Sequence, residues 1–119
     1  MPDLFADAEN WVEVDKENYE HEVIEADKPV MLEFWGKKCK KCEDATPMIQ
    51  RLAKEYLGQL KFCHWECPCL YAVKKLGVRN LPTLYFYANG ERISKLSEKD
   101  QINEEAVKRE LDSLLKQYS

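Results

Sequence analysis

Six consecutive residues, Val30-Met31-Leu32-Glu33-Phe34-Trp35, are apolar at every position but one. A strand with one face in water alternates apolar and polar side chains, and this run does not. It predicts a central strand covered on both faces, which requires helices on both sides of a sheet. The exception, Glu33, would place a carboxyl group in that interior, where burial disfavours the charged form and raises the pKa.

The flanking patterns supply the other elements. Residues 11–14 are a short first strand, and Asp15 can cap a helix carrying Tyr19, Val23 and Ile24 that Lys28-Pro29 ends. From Cys39 to Leu57 the period is helical through Met48, Ile49, Leu52, Ala53 and Tyr56, with Pro47 inside it to kink the ladder. Residues 60–65 read as a third strand and Cys69 to Leu76 as a short helix closed by Gly77. Thr83 to Ala88 is strongly β-forming, Asn89-Gly90 is a hairpin turn, and Arg92 to Leu96 returns as its partner. Asn103 is placed to cap the last helix, with Ile102 stapled against Val107 and Val107, Leu111, Leu114 and Leu115 forming its apolar stripe. The order β-α-β-α-β-α-β-β-α predicts an α/β fold with one mixed sheet, in a single domain over residues 1–119.

Composition narrows the class of function. Of 119 residues, 45% are hydrophobic and 34% charged, as in a soluble globular protein, and no apolar run approaches a membrane span. Residues 1–29 hold ten Asp or Glu against two Lys, an acidic surface, and the chain lacks the long basic stripe that nucleic-acid binding needs. The opening Met1-Pro2-Asp3-Leu4-Phe5-Ala6-Asp7 shows no basic region followed by an apolar core, so a cytoplasmic location is expected, and a monomer. In a reducing cytoplasm five cysteines point to catalysis or metal binding rather than to structural cross-links.

Cys39-Lys40-Lys41-Cys42 falls between the central strand and the start of a helix. Unsatisfied N–H groups and the positive dipole end of a helix stabilise a thiolate there. Cys39 could attack a substrate disulfide and Cys42 could resolve the resulting mixed disulfide. The same spacing by itself also serves zinc knuckles and iron–sulfur sites.

Three separated blocks resemble the thioredoxin family over roughly Trp11 to Leu115. They are Glu33-Phe34-Trp35 with Cys39, Cys42 and Pro47; Gly77-Val78-Arg79-Asn80-Leu81-Pro82-Thr83; and Asn89-Gly90. The resemblance implies the thioredoxin fold and a thiol–disulfide oxidoreductase needing no cofactor, acting on disulfide-containing proteins and recharged by a disulfide reductase. It implies a cis bond before Pro82, with the backbone of Leu81 exposed to pair with extended substrate. It aligns Glu33 with the family's buried acid, a proton acceptor for the second cysteine. His64 falls where the family usually has a lysine, and is read here as an ordinary core or surface histidine.

Two departures stand out. Where the family commonly has Trp before the first cysteine and Gly-Pro between the pair, this chain has Lys38, Lys40 and Lys41, with Lys37 adjacent. Four lysines near one sulfur favour the thiolate and a more oxidising disulfide, and count against the usual thioredoxin partners. Lys40 and Lys41 become candidate substrate contacts. The second departure is Cys67-Pro68-Cys69, at the end of the third strand. Cys39, Cys42, Cys67 and Cys69 could converge on zinc or an iron–sulfur cluster; alternatively Cys67 and Cys69 are a second thiol pair, or unreactive. Cys63, in mid-strand, is a small buried hydrophobe.

Overall fold

The structure, a computed structural model, describes residues 10–97 and 102–118. The opening Met1-to-Asp7 segment, which carries the expectation of a cytoplasmic location, lies outside the described residues. Five strands run β1 (Val12–Glu13), β2 (Val30–Trp35), β3 (Lys61–Glu66), β4 (Thr83–Ala88) and β5 (Glu91–Leu96). Two α-helices follow the expected segments, α1 over Lys40–Glu55 and α2 over Glu104–Tyr118. The sheet order is β1-β3-β2-β4-β5, parallel across its first three strands and antiparallel across β2-β4 and β4-β5. This is a mixed sheet with β2 at its centre, as the apolar run predicts, and it matches the thioredoxin fold that the resemblance implies.

Alternation along the strands divides the interior into two cores. Met31, Phe62, Leu84 and Phe86 face α1 and α2, meeting Ile49, Leu52, Leu111 and Leu114. Leu32, Phe34, Cys63, Trp65, Tyr85 and Tyr87 face the opposite way, over Val23, Val73 and Val78. β2 is buried at five of six positions and lies between β3 and β4, which accounts for its near-continuous apolarity.

Two helices differ from expectation. The segment after β1 makes only one π-helical turn, Glu20–Ile24. Asp15 does not cap it: the N-cap position is Tyr19, without a side-chain cap, and Asp15 Oδ1 instead closes the preceding turn, accepting from the Glu17 and Asn18 amides at 2.8 and 3.1 Å. Tyr19 is held to the sheet by a 2.8 Å hydroxyl contact with Tyr87, and few residues remain before Pro29 for a longer helix. The segment Leu70–Leu76 is a 3₁₀ helix that Gly77 ends in the left-handed conformation at φ 83°.

The α2 cap forms as expected: the Ala106 amide donates to Asn103 Oδ1 at 2.8 Å, and Ile102 packs on the cluster that contains Val107. Asn103→Ala should therefore cost about 1 kcal/mol in urea unfolding. An unchanged midpoint would show that the cap does not hold the helix start. Among the described residues no helix is long and apolar enough to cross a membrane.

Candidate active site

The parallel strands β2 and β3 end together, with Trp35 opposite Glu66 and the Cys67 amide donating to the Trp35 carbonyl at 2.7 Å. The chain leaves β2 through Gly36, Lys37 and Lys38 and enters α1 at Cys39. Cys39 is the N-cap residue of α1: its backbone is extended and its Sγ accepts from the Cys42 amide at 3.1 Å. A capping sulfur on a helix N-terminus receives an N–H and faces the positive end of the dipole, the setting that favours a thiolate. Cys39 is half-buried, Cys42 is buried, and a disulfide joins them.

Glu33 and His64 sit opposite each other on β2 and β3 and point to the α1 face. Glu33 is buried, and among the described residues its Oε2 has no hydrogen-bond partner. Burial alone pushes its carboxyl up to about 8. His64 is a core histidine, with Trp11 and Trp35 tilted against its ring at 4.9 and 6.1 Å between centroids.

The Leu81-Pro82 bond is cis. Leu81 is half-buried and faces Cys39 across a groove, while buried Pro82 borders a second groove with Lys41 and Met48. The first groove is lined by Cys39 of the disulfide.

With this geometry, the family model described as thioredoxin matches residues 10–113. The chain belongs to the thioredoxin family. Among its relatives, a chloroplastic M-type thioredoxin of Triticum aestivum is 35% identical over 81 residues, 66% of this chain and 45% of that protein. The thioredoxin of Pseudomonas aeruginosa is 32% identical over 89 residues, covering 70% and 78%. That of Acetoanaerobium sticklandii is 27% identical over 110 residues, covering 89% and 97%. The chain spans about half the length of the chloroplastic relatives it matches.

Two features of this chain bear on the sequence reading. Among the described residues Cys39, Cys42, Cys67 and Cys69 do not form a group that could hold a metal. Cys42 is buried and bonded to Cys39, and Cys67 is buried with its Sγ donating to the Trp65 carbonyl at 3.6 Å. Burial pushes Cys67 up to about 11 and Cys63, in the same core, up to about 12. Cys69 alone of the three free cysteines is exposed.

The lysine cluster is also partly neutralised. Lys40 pairs with Asp44 at 3.1 Å and Lys37 with Glu66 at 3.6 Å, all largely exposed. The Lys40–Asp44 pair has the four-residue spacing of a helical ion pair and was readable from sequence. Gly36 was missed as well; its lack of a side chain leaves room for Leu81 and the Cys67 carbonyl beside Cys39.

Proposed function

We propose that this chain reduces disulfides in proteins by exchange at Cys39 and Cys42. The observation that carries the reading is the Cys42 amide aimed at Cys39 Sγ on the N-terminus of α1. Cys39 thiolate attacks one substrate sulfur, forming a mixed disulfide and releasing the other as thiolate. Cys42 passes its proton to the Glu33 carboxylate and attacks Cys39 Sγ. The second substrate thiolate leaves and the Cys39–Cys42 disulfide remains. A dithiol of a disulfide reductase returns the two electrons.

Glu33 suits the acceptor role because burial brings it near neutrality on the face that α1 covers. Leu81 lines the groove beside Cys39 and offers its backbone to an extended substrate, Lys37 and Lys38 line the same groove, and exposed Lys40 and Lys41 follow Cys39 as further substrate contacts. The reaction needs no cofactor. A monomer in a reducing cytoplasm accords with three thiols left free, two of them in the core.

Turnover tests this reading. With excess dithiothreitol and a disulfide-containing protein, the chain should accelerate reduction well beyond dithiothreitol alone. Acid quenching and alkylation should find Cys39 and Cys42 cycling between free and joined. A rate equal to that of dithiothreitol alone would refute the proposal.

The lysines tune the couple even though Lys37 and Lys40 are ion-paired. Replacing Lys40-Lys41 by Gly-Pro should raise the Cys39 pKa and make the couple more reducing, by roughly 30 mV or tenfold in the equilibrium constant at most. Equilibration with glutathione measures it, and a shift in the opposite direction would remove the electrostatic argument.

A further inference from the structure

A groove of about 510 Å³ separates the Gly36–Lys38 loop from the segment leaving β3, and three cysteines line it: Cys39, Cys67 and Cys69. Gly36 keeps it open. A methyl group there would lie 3.1 Å from Leu81 Cδ1, 3.4 Å from the Cys67 carbonyl oxygen and 3.9 Å from Cys39 Cβ. The capping cysteine and the Cys67-Pro68-Cys69 segment thus border one narrow gap. Cys42 is buried, on the helix side of Cys39.

Of the two cysteines across the gap, Cys67 is withdrawn: it is buried, and its Sγ is engaged by the Trp65 carbonyl. Cys69 is exposed, its backbone is extended, and its side chain does not cap the 3₁₀ helix that follows. It has the access that thiol exchange requires. Exchange is an in-line attack of one sulfur on another, so a thiol on the groove side can approach Cys39 without displacing α1.

We propose that Cys69 is a second resolving thiol for Cys39, an assignment that rests on Cys39 being the attacking thiol. Once Cys39 holds a mixed disulfide, Cys69 thiolate attacks Cys39 Sγ. The Cys39–Cys69 bond forms and the bond from Cys39 to substrate sulfur breaks. The substrate leaves as thiolate and takes up the proton that Cys69 released. Cys39 and Cys69 are oxidised by two electrons and the substrate disulfide is reduced by two. Cys42 can then attack Cys39 and free Cys69, so the disulfide moves to the buried pair with no outside oxidant or reductant.

The test uses reduced Cys42→Ser, from which the usual resolving thiol is absent, and one equivalent of 4,4′-dithiodipyridine. Transfer to Cys69 releases two equivalents of thiopyridone, the second at a rate independent of protein concentration, and peptide mapping finds Cys39 joined to Cys69. Cys42→Ser/Cys69→Ser should release one equivalent and keep the probe on Cys39. Cys42→Ala replaces Cys42→Ser if circular dichroism shows that a buried hydroxyl unfolds the chain. Release that stops at one equivalent in Cys42→Ser, or a bond from Cys39 to Cys67 instead, overturns the role of Cys69 while leaving Cys39 as the attacking thiol. If Cys39 takes no probe even in the double variant, both assignments fall.

Discussion

Replacing Cys39 by serine is expected to lower protein-disulfide reduction by on the order of 10³-fold or more, to the rate of the small reductant alone. The loss is this large because serine keeps the cap but removes the nucleophile: a hydroxyl can still accept from the Cys42 amide, yet it forms no mixed disulfide. Folding should therefore be almost unchanged, which separates lost chemistry from lost structure. Cys42→Ser should behave differently, retaining the first attack and accumulating covalent adducts with substrate. Adducts should be fully trapped once Cys69→Ser is added. Wild-type turnover in Cys39→Ser would move the nucleophile elsewhere.

Glu33→Gln should have opposite effects on stability and turnover. In the folded chain burial holds the carboxyl protonated up to about 8, while the unfolded chain ionises it near the ordinary 4.5. The folded-state value is the raised one, so its contribution to stability is fully present below about 4.5 and is lost as pH rises to about 8. At ~1.4 kcal/mol per unit of separation the loss above that window is several kcal/mol. Glutamine has no charge to bury, so the variant's unfolding free energy should lack this slope and exceed that of wild type at pH 9. Parallel pH profiles would mean that Glu33 ionises without penalty and is not buried as described. Turnover should fall roughly 10²-fold, with release of the mixed disulfide slowed and its dependence on a group titrating near 8 removed. Stopped-flow measurement of that release reads the effect directly.

Most of the architecture was legible in the chain because its patterns are strong. Residues 30–35 could only be central, the 3.6-residue period marked α1, and Asn103 announced α2. The weaker elements were misjudged in kind rather than place. Local patterning placed both helical segments, whose Val23 and Val73 pack on the sheet, but could not separate one π turn or a 3₁₀ segment from an α-helix. At the site, the strand order brings Cys39 and the Cys67 segment to one rim, as inferred from topology. Side-chain direction was the hidden part: nothing in Cys-Pro-Cys says that the first thiol turns inward and the second outward. The partners of the lysines were hidden for a related reason, since Glu66 meets Lys37 only through the pairing of β2 with β3.

The alternation that divides the interior into two cores also decides where this family member can change length. Leu32, Glu33 and Phe34 are neighbours in the chain but belong to alternating faces. One residue inserted in β2 would turn the carboxyl toward Tyr85 and Trp65 and set an aromatic ring beneath α1. Packing and proton chemistry would fail together, so evolution cannot adjust one through insertions there without destroying the other. Insertions and deletions are left to the exposed turns away from the disulfide, such as Asn89-Gly90 between β4 and β5, where no strand changes face.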